Sequence, residues 1–221
     1  MKLALFDLDH TLLPIDSDYS WGVYTTDIGW TDNAYFRDLN DAFYAHYQAG
    51  TLDIHDYVRF STEAARLKGP DEAARAHAHF MQTVVAPSIQ PQALALIDAH
   101  AQAGEQVIIV TATNEFITRP IATALGVSEL IAVELERDAL GWITGEIKGT
   151  PSFREGKVTR VNQWLAEHQL TWRDAEITFY SDSINDLALL EKATHPVATN
   201  PDPRLRTLAT ERGWRILDLF S

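Results

Sequence analysis

The chain has 221 residues, of which 46% are apolar and 22% charged, enough for one globular unit that can carry an insertion. Its formal net charge of −13 makes nucleic acid and anionic membrane poor partners. It holds no cysteine, which excludes disulfides, thiolate metal sites and a cysteine nucleophile.

In chain order, Leu3 to Phe6 (LALF) reads as a short buried strand running into Asp7-Leu8-Asp9-His10-Thr11. Asp16 to Ala86 changes character. It carries about half of the aromatics, with apolar residues at helical spacing (Phe43-Tyr44-Tyr47, Ile54-Tyr57-Val58) and breaks at Gly50-Thr51 and Gly69-Pro70. After Pro87 the pattern alternates strand and helix. Pro91 to Ala103 reads as a helix, Gln106 to Thr113 (QVIIVTAT) as a central strand, and Phe116 to Leu125 as a helix. Leu130 to Leu135 and Trp142 to Ile147 read as two strands joined by a turn near Asp138–Gly141. Helix Gly156 to His168, strand Ala175 to Ser183, helix Ile184 to Ala193, a short strand-like piece His195 to Asn200 (HPVATN) and helix Pro203 to Glu211 complete the chain before WRILDLF. The expected fold is α/β. Residues 1–15 and 86–221 form a Rossmann-like core with a parallel sheet, and residues 16–85 form an α-helical insertion. No run approaches membrane-span length, and no basic stretch leads into an apolar one at the N-terminus. A soluble cytoplasmic protein is expected.

Sites in such sheets form outside the carboxyl ends of the strands. The polar residues there are Asp7 and Asp9, then Thr111, then Asp182, Asn185 and Asp186. The last three share one side of a helical first turn. Up to four carboxylates therefore meet in one cleft, and a divalent cation resolves their repulsion. With oxygen donors alone, Mg²⁺ suits best. Each residue has a plainer reading. Asp182 could cap the next helix, Thr111 could be a satisfied core residue, and Lys157 could be solvated surface. His77 and His79 are expected on a helix surface, with no histidine metal site, and Ser183 lacks a histidine placed as its base. The ordered set outweighs these single readings.

That set, FDLDHT, VIIVTAT, Lys157 and YSDSIND, resembles the four motifs of the haloacid dehalogenase superfamily, over Leu3 to about Leu190. The insertion resembles the helical cap of the phosphoserine-phosphatase-like branch. DSDYSWG and AFYAHYQAGTLDIHDY are similar to a bacterial subgroup that includes histidinol-phosphate phosphatases. The resemblance implies a Mg²⁺-dependent phosphomonoesterase working through an aspartyl-phosphate. Asp7 would be the nucleophile, and Asp9 the proton carrier with its pKa raised by Asp7. Thr111 and the Ala112 N–H would bind a phosphoryl oxygen, Lys157 would offset charge, and Asn185 would contact phosphate. Asp7, Asp182 and the Asp9 carbonyl would hold the metal, with Asp186 behind them; Thr11 would fix the loop.

Two motifs depart from the pattern, with Ser181-Asp182 where Gly-Asp is frequent and Thr111-Ala112 where phosphoserine phosphatases often carry Ser-Gly. In those enzymes a glutamate nine residues after the nucleophile binds the substrate amine, and here that position is Asp16. Their cap arginine has no clear counterpart, Ser61 being nearest by pattern and Arg59 close by. Asp16 to Ala86 holds eleven acids against five Lys and Arg. The expected substrate is a small amine-bearing phosphate, histidinol phosphate ahead of phosphoserine, although most of the aromatics could simply be the insertion's core. Dehalogenation and a non-enzymatic phospho-acceptor switch are the distant alternatives. The first needs neither Asp9 nor a metal, and the second belongs to chains about half this length.

Overall fold

The computed structural model describes residues 1–220, Asn33 by its backbone alone. Six parallel strands form the central sheet in the order β3-β2-β1-β6-β7-β8. They are β1 (Lys2–Phe6), β2 (Gln106–Asn114), β3 (Glu129–Val133), β6 (Glu176–Ser181), β7 (His195–Thr199) and β8 (Arg215–Leu217). The order reverses at β1, which pairs with β2 on one side and β6 on the other. The crevice at such a reversal is where α/β sheets place ligands.

Side chains alternate across the pleat. Leu3 and Leu5 face one layer together with Ile108, Val110, Ile177 and Phe179, under Val161, Trp164 and Leu165. Ala4 and Phe6 face the other with Val107, Ile109 and Tyr180. Burial on both faces explains why these strands read as continuous apolar runs. Helices α6 (Pro91–Gln102), α7 (Glu115–Ala124), α8 (Glu155–Glu167), α9 (Leu187–Lys192) and α10 (Pro203–Arg212) connect them.

Between β1 and α6 the chain is helical: α1 (Ser17–Asp27), α2 (Asn33–Ala49), α3 (Ile54–Lys68) and α4 (Pro70–Phe80). A π-helical turn at Met81–Val85 and a last turn, α5 (Ala86–Ser88), lead back to the sheet. The expected breaks are real. Gly50 caps α2 in the left-handed region at φ 71°, and Gly69 separates α3 from α4. Trp21 explains much of the aromatic content, because it is 1% exposed and packs on Trp30, His77, Phe80 and Phe116. In a second group Phe36 stacks on Phe60 and Phe43 packs tilted against it.

Two expectations are corrected. The single strand at 130–135 is two strands. β3 lies at the sheet edge beside β2, whereas β4 (Leu135–Arg137) pairs antiparallel with β5 (Ile143–Ile147) as a separate ribbon. Val133 and Leu135 are both buried around Glu134, so the alternation runs through the break unmarked. His77 is buried, not on the surface. Its ring lies between Trp21 and Phe116, with Nε2 3.3 Å from the Ile117 carbonyl. Among the described residues, no helix is long and apolar enough to cross a membrane.

Candidate active site

Asp7 follows β1 directly, and its backbone N–H extends the sheet by donating to Tyr180 O at 2.9 Å. The chain then turns sharply. Leu8 O accepts from the N–H groups of Thr11, Leu12 and Leu13, and His10 adopts φ 56°. Such a conformation is costly for a non-glycine residue and persists only where its surroundings fix it. Asn200 Nδ2 donates to His10 O at 2.8 Å, and His10 N–H donates to Ile15 O at 3.2 Å. The turn returns Asp9 towards the start of α1, where Ser17 N–H donates to Asp9 Oδ1 at 2.8 Å. Thr113, at the end of β2, donates to Asp9 Oδ2 at 2.8 Å.

One pocket is lined by Asp7, Asp9, Asp16, Thr111, Ala112 and Asp182, with Asp18 and the rings of Phe43, Tyr44, Tyr47 and Tyr57 on the helical side. Thr111 Oγ1 accepts from Thr113 N–H at 3.1 Å, which leaves its own hydroxyl proton available. Ser152 donates to Thr111 O from a fully buried position and ties the loop before α8 to β2.

Behind the pocket wall, Lys157 is 1% exposed, with Nζ 2.7 Å from both Asp7 Oδ1 and Asp186 Oδ2. A lysine beside a helix start is usually solvated, so local geometry must explain this burial. A Cβ on Gly156 would lie 2.0 Å from Pro151 O. Only glycine permits that approach, and it lets α8 begin under β2 with Lys157 pointing inward. Asp186 also accepts from Ser181 Oγ at 2.8 Å. Asp182 does not cap the following turn. Ser183 does, accepting from Asn185 N–H at 3.2 Å. Asp182 instead meets Thr11, whose hydroxyl accepts from Asp182 N–H at 3.1 Å. Asp16, by contrast, caps α1 by accepting from Tyr19 N–H at 2.8 Å while it lines the pocket. Asn185 reaches the inserted helices, donating to Tyr47 O at 2.9 Å near the end of α2.

The electrostatics follow from crowding. Burial raises the Asp7 carboxyl, Lys157 lowers it, and Asp9 pushes it up again. Burial and then the Asp16 charge push the Asp9 carboxyl up to about 6. Burial, not Asp7, is thus the main cause at Asp9, and Asp16 is the charged neighbour that matters there. Burial, then Asp7 and Asp186, hold Asp182 well above the usual carboxylate range. Asp186 is pushed up to about 6 by burial, against the pull of Lys157. Burial lowers the Lys157 ammonium, but the charges of Asp186 and Asp7 more than offset this and hold it above its usual value.

Four carboxylates thus share one buried lysine, an excess of negative charge that a divalent cation fits. All donors are oxygens, which suits Mg²⁺. Among the described residues no three acidic or histidine side chains form a ready-made cage. Asp7 Oδ1 and Asp186 Oδ2 both meet Lys157, and Asp186 Oδ2 accepts from Ser181 as well.

Sequence reasoning alone missed several parts: Thr113 on Asp9, Ser152 on Thr111, Ser181 on Asp186, Tyr47 over the acidic end, and Asp18 in the wall. Only the placement of Thr113 on the strand that bears Thr111 could have signalled one of them.

The haloacid dehalogenase-like hydrolase family model matches residues 4–191. A histidinol-phosphatase from Neisseria meningitidis is 42% identical over 218 residues, which cover 98% of each chain. A phosphoserine phosphatase from Mycobacterium tuberculosis is 31% identical over 223 residues, 97% of this chain and 70% of that one. Among solved structures, a protein of unknown function from Bordetella pertussis superposes with a TM-score of 0.93 at 48% identity, covering 99% of both chains. A substrate-bound phosphoserine phosphatase superposes with a TM-score of 0.68 at 16% identity, covering 98% of this chain and 92% of that one, a likeness of fold. The chain belongs to the haloacid dehalogenase-like hydrolase family and is a phosphatase within it.

Proposed function

We propose that the protein hydrolyses a small phosphomonoester whose leaving alcohol bears a cationic amine and a flat ring, histidinol phosphate being the best match. The observation that carries this is the pocket wall. Asp16 and Asp18 line it beside Asp7 and Asp9, and no lysine or arginine does so among the described residues. A carboxylate-bearing substrate such as phosphoserine would meet uncompensated negative charge there. Arg59, the nearest cationic candidate by sequence, is turned away. Its guanidinium pairs with both oxygens of Glu146 at 2.8 and 3.0 Å. The histidinol-phosphatase relative over 98% of the chain points the same way. In this reading residues 16–85 select the substrate, and residues 1–15 with 86–221 perform the chemistry.

The chemistry follows from the residues. An Asp7 oxygen attacks phosphorus, and an O–P bond forms as the ester P–O bond breaks. Asp9, protonated at the outset, gives its proton to the leaving alkoxide. Its held position and a pKa of about 6 suit a group that must carry and release a proton near neutrality. A water then attacks the aspartyl-phosphate and Asp9 takes its proton, which restores the enzyme and releases phosphate. Thr111 Oγ and the Ala112 N–H hold phosphoryl oxygens, with Asn185 as a further contact. Lys157 neutralises charge on Asp7 and the transferred group. Asp7, Asp182 and the Asp9 carbonyl would hold Mg²⁺ with Asp186 behind, and Mg²⁺ would neutralise phosphoryl charge.

The test is a panel of phosphorylated metabolites assayed with Mg²⁺. Histidinol phosphate should exceed phosphoserine in kcat/KM. The reverse order overturns the substrate reading, and no turnover of any phosphomonoester overturns the reaction.

A further inference from the structure

Asp18 is an acidic group of the pocket that the chemistry above leaves unused. It lies in the first turn of α1 and is 3% exposed. Burial, then the charges of Asp16 and Asp9, hold its carboxyl well above the usual carboxylate range, and the Tyr57 and Ser61 hydroxyls draw it back; its Oδ1 still makes no well-formed hydrogen bond, nor does Ser61 Oγ on α3. A buried carboxylate oxygen left unpaired is expensive, and folded chains rarely keep one unless something else supplies the partner. Here the carboxyl shares the pocket wall with the rings of Phe43, Tyr44, Tyr47 and Tyr57, against which a flat group could lie.

The Tyr57 hydroxyl is held well above its usual value by burial first, then by Asp18, then Asp16, then Asp9. The Tyr47 hydroxyl, also raised foremost by burial, feels Asp7 and Asp182 before Asp16. Asp16 and Asp9 are the charges that press on Asp18 itself, and the Tyr57 hydroxyl meets it. Asp16 already accepts from Tyr19 N–H and stands near Asp9. It suits a group close to the phosphoester. Asp18 lies two residues further along α1, and its Oδ1 suits a second donor.

We propose that Asp18 is a specificity-determining residue that accepts a hydrogen bond from a ring N–H at the far end of the leaving group. The substrate class is thereby narrowed to phosphomonoesters carrying two nitrogen donors, an amine for Asp16 and a ring N–H for Asp18. The assignment rests on the amine-phosphate reading above. It explains why an acidic residue is buried in α1 without a counter-charge. It also explains the tyrosine and phenylalanine at that end, since a planar ring needs a planar wall while its edge meets the carboxylate.

The test compares histidinol phosphate with phenylalaninol phosphate, which keeps the amine and a flat ring but has no ring N–H. The comparison is made in the wild type and in Asp18→Asn. The wild type should favour histidinol phosphate in kcat/KM by roughly 10- to 100-fold, the range of a charge-assisted hydrogen bond to a buried acceptor. Asp18→Asn should shrink that preference to under threefold, mainly by raising KM for histidinol phosphate. Circular dichroism and thermal melting establish that the variant is folded. The wild-type comparison stands by itself should the variant not fold, because equal turnover of the two substrates by the wild type overturns the assignment. A preference that persists unchanged in folded Asp18→Asn overturns it too, since Asp18 would then be a structural residue of α1. Failure of the amine-phosphate reading looks different: neither compound would be turned over better than phosphoserine.

Discussion

Replacing Lys157 by methionine removes a cation that lies 2.7 Å from both Asp7 and Asp186 and is 1% exposed. The apolar side chain fills a similar volume, so the perturbation is chiefly electrostatic. Removing one partner of a buried ion pair costs about 3–5 kcal/mol, because the other charge is left uncompensated. Here two carboxylates are left, and both already press on Asp182. In a chain of this size about 1 kcal/mol moves the melting temperature by roughly 2–4 °C. The expected fall at pH 8 is therefore about 6–20 °C. The pH dependence has a definite sign. Without Lys157 the folded-state pKa values of Asp7 and Asp186 rise further above their unfolded values. The folded variant then binds more protons than the unfolded chain between those limits, and its stability falls as pH rises. The deficit against the wild type should thus be larger at pH 8 than at pH 5. Thermal melts of both proteins at the two pH values measure it. A variant melting within about 2 °C of the wild type at pH 8, or a deficit that grows towards pH 5, refutes the reasoning.

Asp9→Asn should lower kcat on histidinol phosphate by about 10²- to 10⁴-fold, the range for loss of a general acid or base. With p-nitrophenyl phosphate the leaving phenolate needs no proton, so rapid mixing should show a burst of one p-nitrophenol per enzyme before slow turnover; absence of the burst contradicts the proton-carrier role. His77 is held below its ordinary value near 6.5 by burial. The unfolded chain binds the proton more readily, so this imidazole costs stability as pH falls through about 6.5 and below. His77→Gln should therefore lose more against the wild type at pH 7.5 than at pH 5.5 in denaturant titrations, and a deficit independent of pH argues against it. Arg59 and Glu146 are each about half exposed (49% and 46%), so Arg59→Ala should cost under about 1 kcal/mol. Its kcat/KM on amine phosphates should stay within twofold, whereas a large KM effect would show that Arg59 reaches the substrate.

Much of this architecture could be read from short segments. The apolar runs at Leu3, Val107 and Ile177 are buried on both faces, so composition alone marks them as central strands. Their polar ends mark the crevice because strand direction and the parallel sheet fix where those ends lie. The helical character of Asp16 to Ala86 follows equally from local periodicity and its glycine breaks. What stayed hidden depends on partners distant in sequence. Lys157 is buried because Gly156 lets α8 approach Pro151, and no property of the lysine itself announces that. Asp18 and Asp16 look alike in sequence, yet Asp16 is a helix cap with a partner and Asp18 keeps an oxygen without a well-formed hydrogen bond. The aromatics divide in the same way. Trp21 and Phe80 pack the helices together, whereas Tyr44, Tyr47 and Tyr57 face the pocket, and only the tertiary arrangement separates the two groups. The edge strand β3 merges with β4 in sequence because the buried-polar-buried alternation crosses Glu134 without a turn residue.

The central claim is that Asp7 carries the phosphoryl group. Acid quenching during steady-state turnover of histidinol phosphate with Mg²⁺, followed by peptide mass spectrometry, tests it most directly. A phosphoryl adduct on Asp7, absent from Asp7→Asn, is the predicted result. An adduct on another residue, or steady turnover by Asp7→Asn, would contradict the account.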